Sequence, residues 1–397
     1  MPELSFTVFL NTLAASIAAL WLTGFVWTWY CLRNQLSLKP DKNDNLENEP
    51  FISILVPARN EADRILEKSI GSMLEQTYKN FEIIVLNDRS TDNTKEILKR
   101  LKFQIPDSKF QIVDGIEPHK TWLGKPHALH QAFQKSSGEW ILSTDADIVF
   151  APETLQTVVN YAETNRLDAL TLIPKYIYAS FWEKLFMPVF GWFCVLAMPL
   201  HRVNNPNRKE FLGIGNFFMF RREVLEKIGG FESVKSEVGE DLKLAEILKK
   251  SGFKLRIDYA PDLLETRMYS GFREIWEGFT KNLFAGMKFS PVKSVFGAIS
   301  ILLFGVLPVF FAFLAFAFGQ TFLFIAFFTA YILQVFVLVL INREWQVNLL
   351  YAFLTPIGLA LFAAILMNSM VKVLSGEGVT WKGRAIYEKD GVRPPLK

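Results

Sequence analysis

Along this chain the apolar positions fall into two patterns. Three stretches, residues 5–32, 294–342 and 345–371, carry no Asp, Glu, Lys or Arg. A membrane-crossing helix takes roughly 20 predominantly apolar residues, so the first and third stretches are each one span long. The second is long enough for two and is interrupted at Gly319-Gln320, which predicts a tight hairpin. Core helices of a soluble domain are shorter and polar along one face. The organisation expected is an N-terminal anchor (1–32), a central domain (33–290), about three C-terminal membrane helices (291–371) and a basic tail (372–397). The first stretch is expected to be retained rather than cleaved as a signal peptide. No basic residue precedes it, its apolar run is long, and Arg33 follows directly.

Orientation follows from the basic residues that flank each span. Arg33, Lys39 and Lys42 follow the first, and Lys281, Lys288 and Lys293 precede the second. The central domain is therefore expected on the cytoplasmic side. Three further crossings would put the tail outside, yet Lys372, Lys382, Arg384, Lys389, Arg393 and Lys397 make that tail basic. Either one apolar stretch is re-entrant or the rule fails here.

The central domain has a different rhythm. A polar linker at 39–50, bounded by Pro40 and Pro50, marks its start. Short apolar runs at 51–56, 81–86, 110–113 and 140–143 predict strands buried on both faces. Between them lie helical segments near 63–75, 92–101 and 126–135, and another opens at Pro152. Such alternation predicts an α/β fold with a mostly parallel sheet and helices on both faces. Ligands bind beyond the carboxyl ends of strands in such sheets. That edge receives the loops Pro57-Ala58-Arg59-Asn60-Glu61, Asn87-Asp88-Arg89-Ser90-Thr91-Asp92 and Asp145-Ala146-Asp147.

Composition narrows the function. With 37 Phe and half its residues hydrophobic, the chain is no disordered protein, and a net charge of +3 argues against nucleic-acid binding. Cys31 and Cys194 alone make neither a disulfide framework nor a thiolate zinc site. Asp145 and Asp147 flank one residue beyond a buried strand. Such a pair can hold a hard divalent ion that also meets substrate phosphates, although loops collect aspartates as caps as well. Glu240-Asp241 opens an amphipathic helix at 241–250, a place where acids are also favoured electrostatically. Lys125 follows Gly124 ahead of a helix and suits either a diphosphate or the surface. His127 and His130 lack a matching carboxylate and are expected to pack or to lie on the surface. P-loop, dinucleotide fingerprint and nucleophile elbow are all missing.

Together these motifs resemble glycosyltransferase family 2, over roughly residues 51–282. The elements are VPARNE (56–61), LNDRSTDNT (86–94), GKPHAL (124–129), STDAD (143–147), GIGNFFMFRREVLEKIGGF (213–231) and GEDLKLAEILKKSG (239–252). The resemblance implies the nucleotide-sugar-binding GT-A fold and inversion at the anomeric carbon. It implies that Pro57, Arg59, Glu61 and Asp88 meet the nucleoside and Lys125 the diphosphate side. Asp145 would lie near the ribose and the metal, Asp147 would ligate Mg²⁺ or Mn²⁺, and Asp241 would be the catalytic base. Asn87 stands where the family usually has a second aspartate, so the role of that position is open.

Two further segments point to a lipid acceptor. Residues 185–200 are uncharged but too short to span, and are expected either in the membrane interface or as a buried helix pair. Residues 272–289 place Phe272, Ile275, Trp276, Phe279, Leu283 and Met287 on one helical face, suited to the membrane surface or to packing on the domain. The WKGRAIY segment (381–387) resembles carotenoid and hopanoid-associated family members. The expected function is transfer of a sugar, from UDP-hexose first of all, to a membrane lipid such as a carotenoid or other isoprenoid. Alternatives are a ceramide-type or polysaccharide-forming enzyme, the latter weakened by the missing Gln-x-x-Arg-Trp motif, and a non-catalytic membrane scaffold retaining the fold.

Overall fold

The computed structural model describes residues 2–41, 49–104, 109–381 and 384–386. Most of the polar linker, with Lys42, lies outside the described residues. So do Lys382, Gly383, Tyr387 and the tail beyond, which take in much of the basic segment.

Ten strands build the central domain: β1 (Ile52–Ala58), β2 (Phe81–Asn87), β3 (Phe110–Asp114), β4 (Trp140–Thr144), β5 (Ile148–Phe150), β6 (Ala169–Ile173), β7 (Lys175–Tyr176), β8 (Phe217–Arg221), β9 (Leu255–Tyr259) and β10 (Leu264–Thr266). Seven form the main sheet in the order β3-β2-β1-β4-β8-β6-β9. All neighbours run parallel except β8, which is antiparallel to both β4 and β6. A second, three-stranded sheet has the order β5-β10-β7.

Strands β1, β2 and β4 are largely apolar and buried along nearly their whole length because successive residues feed opposite cores. Ile54, Val56 and Val85 pack with Ile70 and Met73 of helix Leu66–Leu74 and with Leu98 of helix Thr94–Gln104. Their neighbours Leu55, Ile84 and Leu86 pack on the other face with Leu129 of helix Gly124–Lys135 and Leu248 of helix Glu240–Lys250. The expected alternation is present, and the fold is GT-A-like α/β with a mostly parallel main sheet.

Among the described residues five helical segments are long and apolar enough to cross a membrane: Phe6–Arg33, Phe181–Val203, Pro291–Ala317, Thr321–Glu344 and Leu349–Leu374. The hairpin expected at Gly319-Gln320 is there, with Gly319 in the left-handed region at φ 67°. Helix Pro291–Ile301 continues through a π-turn, Leu302–Val306, into helix Leu307–Ala317. Pro308 explains the turn. It has no N–H to offer the Phe304 carbonyl four residues back, and that carbonyl accepts from the Trp21 indole N–H at 2.7 Å and from Gln334 at 3.4 Å.

Three helices pack on one another: Phe181–Ala197, Phe272–Gly286 and Thr355–Leu374. Phe186 lies 4.7 Å from Phe279 and 6.0 Å from Phe362, ring centre to ring centre. The first helix starts before the uncharged run, at a capping box between Ser180 and Glu183. Its flanking strands β6 and β8 pair with each other, so the chain leaves and re-enters the domain on one face. Helix Phe272–Gly286 buries Ile275, Phe279 and Leu283 against the apolar helices. Helix Thr355–Leu374 starts beside the apolar spans, where the Phe353 carbonyl just ahead of it accepts from the Tyr331 hydroxyl at 3.0 Å. Near its other end Asn368 donates to the Thr280 hydroxyl at 2.9 Å and Ser369 to the Thr280 carbonyl, while Trp345, at the end of helix Thr321–Glu344, packs on Tyr176 and Tyr178.

The N-terminal helix is tied down as well. Just beyond it, Leu38 N–H donates to the Tyr259 carbonyl at 2.8 Å and Tyr259 N–H to the Leu36 carbonyl at 3.0 Å. This short pairing covers the β9 edge that would otherwise stay open.

Candidate active site

The loops after β1, β2 and β4 meet at the carboxyl edge of the sheet, as their parallel order requires. Pro57 lies in β1 opposite Leu86. Arg59 spans to the next loop, its guanidinium donating to the carbonyls of Asp88 at 2.8 Å and Arg89 at 3.0 Å. Asp88 is 5 % exposed, and its Oδ1 accepts from Arg89 Nε at 3.2 Å. Asn87 donates to Asp114 at 3.1 Å, which holds the end of β2 against β3. Glu61 is also buried, and its N–H donates to Thr94 Oγ1 at 2.8 Å.

Asp145 and Asp147 sit on two different cationic partners. Lys125, in the first turn of its helix, places Nζ 2.8 Å from Asp145 Oδ1 and 2.8 Å from Glu240 Oε1. Burial alone pushes that ammonium down, but Asp145, Glu240 and Asp241 together hold it well above its ordinary value. The other oxygen of Asp145 accepts from Asn216 Nδ2 at 3.0 Å. Asp147 faces Arg64, whose Nη1 is 2.7 Å from its Oδ2. Arg64 also reaches Glu274 at 3.4 Å and Glu61 at 3.8 Å. Among the described residues no three or more His, Cys, Asp or Glu side chains are grouped as a metal cage.

Asp241 opens helix Glu240–Lys250 against the Gly213-Ile214-Gly215 segment ahead of β8. Its Oδ2 accepts from the Gly215 N–H at 2.7 Å and its Oδ1 from the Leu242 N–H at 2.7 Å. The close approach needs glycine, because a Cβ on Gly215 would lie 2.9 Å from Lys125 Nζ and 3.1 Å from Asp241 Oδ2. Burial and then the neighbouring Glu240 push the Asp241 carboxyl up to about 6, against the pull of Lys125 and the two N–H groups. A carboxylate poised there is a far better proton acceptor near neutral pH than an ordinary aspartate.

The structure joins Lys125, Asp145 and Asp241 in one cluster and sets Asp147 beside it on Arg64. Pro57, Arg59, Glu61 and Asp88 lie on the neighbouring loops of the same edge. His127 and His130 both lie against the Trp122 ring, at 5.4 and 5.0 Å.

Sequence reasoning passed over Arg64, Glu274, Asn216 and Lys281. Arg64 fell inside an expected helix, but that helix starts at Leu66 and leaves Arg64 in the preceding turn. Lys281 counted only as a basic flank of a membrane helix. In the structure it belongs to the acidic cluster: burial pushes its ammonium down to about 8, while Glu240, Asp145 and Asp241 draw it up against repulsion from Lys125. No local pattern marks it, since its neighbours in space are more than 35 residues away in sequence.

Residues 53–229 match the family model described as Glycosyl transferase family 2. The 4,4'-diaponeurosporenoate glycosyltransferase of Staphylococcus aureus (strain USA300) is 27 % identical over 264 residues, which are 65 % of this chain and 67 % of that one. The same enzyme from strain bovine RF122 / ET3-1 is 26 % identical over a stretch of that length. Among solved structures, the mannosyltransferase PcManGT of Pyrobaculum calidifontis, in complex with GDP-Man and Mn²⁺, is similar with a TM-score of 0.54 at 22 % identity. That match covers 92 % of this chain and 99 % of the other.

Proposed function

We propose that this chain, whose residues 53–229 match glycosyltransferase family 2, moves a hexose from a nucleotide-sugar donor to a lipid acceptor held at the membrane. One observation carries this: helix Phe272–Gly286 packs Ile275, Phe279 and Leu283 on the apolar bundle, and the charges of Asp145, Glu240, Asp241 and Lys125 act on its Lys281. The donor side and the membrane side thus share one site.

Arg59, Glu61, Asp88 and Pro57 would form the nucleoside side, and Lys125 would meet the charge that grows on the leaving diphosphate. Asp241 would take the proton from an acceptor oxygen as that oxygen attacks the anomeric carbon, inverting it. Asp145 and Asp147 suit a divalent ion. They offer hard oxygens one residue apart, each already matched to a cation at 2.8 and 2.7 Å, and Mg²⁺ or Mn²⁺ is commonly held by one or two carboxylates plus substrate phosphates. When bound, the ion would neutralise charge on the diphosphate. A UDP-hexose is the first donor to try and GDP-mannose, the ligand of the structural neighbour, the second. For the acceptor, the similarity to a diaponeurosporenoate glycosyltransferase favours an isoprenoid or carotenoid.

The membrane arrangement we favour has three crossings: the N-terminal helix, 291–317 and 321–344. Residues 345–374 would re-enter without crossing: the Phe353 carbonyl meets Tyr331 and Leu359 lies beside Gly305, both within the spans, while Asn368 returns to Thr280. Arg33, Lys293, Arg343, Lys372 and the basic tail then fall on one side, the cytoplasmic one, and the conflict between span count and tail charge disappears.

The test is expression in a carotenoid-producing host and in one making other isoprenoid lipids, with mass spectrometry of the extracted lipids. A hexose-shifted lipid that depends on Asp241 supports the proposal. Hexose found only on soluble or polymeric products would overturn the lipid acceptor.

A further inference from the structure

Between the acidic cluster and the apolar bundle runs a seam of aromatic rings. It starts at Asp145, which accepts from Asn216 at 3.0 Å. Asn216 in turn accepts from the Tyr176 hydroxyl at 3.2 Å. Tyr176 stacks on Tyr178 with centroids 6.4 Å apart, and Tyr178 stacks on Trp345 at 6.1 Å. Trp345 lies against Gly191, where a Cβ would fall 1.6 Å from its ring. One helical turn before Trp345, on the same face of helix Thr321–Glu344, stands Asn342.

Tyr178 in this seam and Asn342, three residues before its Trp345, have hydrogen-bonding atoms with nothing to bond. Asn342 is 1 % exposed, and both its Oδ1 and Nδ2 lack a partner among the described residues. The Tyr178 hydroxyl is buried and equally unpartnered. Burying such groups without partners is costly, more so beside an apolar bundle. Leu or Phe would fill the same space without that cost, so the polar atoms call for a ligand that satisfies them.

We infer that Tyr178 and Asn342 bind the oxygen-bearing head of the apolar acceptor, with the rings of Tyr176, Tyr178 and Trp345 along its first carbons. The Tyr178 hydroxyl would donate to the head oxygen. Asn342 can both donate and accept, so it serves a hydroxyl as well as a carboxylate. The head is thereby held on the membrane side of Asp145 and Asp241, one ring stack beyond the hydrogen bonds that run from Tyr176 through Asn216 to Asp145. This inference rests on the transfer reading above.

The experiment compares the full-length protein with Asn342→Leu and Tyr178→Phe in detergent micelles, using a long polyisoprenoid alcohol as acceptor and UDP-hexose or GDP-mannose as donor. Both variants are expected to raise the apparent KM for the alcohol at least tenfold. The KM for the donor should hold, and the Tm should hold or rise because an unsatisfied buried group has gone. A merely structural role would lower Tm and leave the two KM values together. An acceptor KM within twofold of the parent, or a lowered Tm in both variants, would overturn the assignment. If the parent itself transfers nothing to the alcohol or to the corresponding acid, the transfer reading falls instead.

Discussion

Asp241→Asn removes one negative charge and almost nothing of shape. Lys125 keeps its contacts with Asp145 and Glu240, both at 2.8 Å, so the diphosphate side of the site is left standing. Of the two N–H groups that now point at the carboxylate, Gly215 and Leu242, one will face the new amide NH₂. That mismatch costs about 1–3 kcal/mol of local stability. Loss of the base should be larger, about 10²–10⁴-fold in rate, or about 3–5 kcal/mol of barrier. The assay is sugar transfer from a labelled nucleotide-hexose to a polyisoprenoid alcohol, beside donor binding by calorimetry. The expected result is transfer down at least a hundredfold with donor affinity within a few-fold of the parent. A carboxylate acceptor is already ionised at neutral pH, so with an isoprenoid acid the loss should stay below about tenfold. Transfer to the alcohol within tenfold of the parent, with donor binding intact, would refute Asp241 as the base.

The pH dependence supplies a second check. The base works only when ionised, so kcat/KM should fall about tenfold per unit below pH 6, where Asp241 titrates. It should fall again above about pH 8 as Lys281 loses its charge beside the leaving diphosphate. A profile flat from pH 5 to 7 would exclude the raised Asp241. Glu183 is 1 % exposed and accepts from Arg267 Nε and Nη2 at 3.0 Å each. Glu183→Gln should destabilise the protein by about 3 kcal/mol, at the low end for a broken buried pair because Arg267 is partly open to solvent, measured by thermal unfolding in detergent. Gly191→Ala drives a methyl into the Trp345 ring. It should cost about 1–3 kcal/mol by overpacking and reduce transfer to lipid while donor binding survives.

Much was legible from sequence because it rests on local rules. The buried strands, the loops on their carboxyl edge and the uncharged spans each follow from periodicity within some ten to thirty residues. The hairpin at Gly319 follows from one glycine in a left-handed turn. Asp145 and Asp241 stood out because a strand end and a helix start are recognisable places. Arg64, Lys281 and Asn216 did not, because what makes them important is who they meet. Lys281 has an acidic neighbourhood supplied by β4 and by helix Glu240–Lys250, both far off along the chain. Asn342 and Tyr178 read as an ordinary helix asparagine and a loop tyrosine until folding buries their polar atoms without partners.

Sequence by itself determined the fold class, the motif residues and the presence of long apolar helices, since hydrophobic pattern and turn chemistry act between near neighbours. Tertiary structure alone decided that helix Thr355–Leu374 starts beside the apolar spans and ends against helix Phe272–Gly286, that the charges of the acidic cluster act on Lys281, and that an aromatic seam ties that cluster to the apolar bundle. Those outcomes depend on packing between segments distant in the chain, and no short-range pattern encodes which distant surfaces fit.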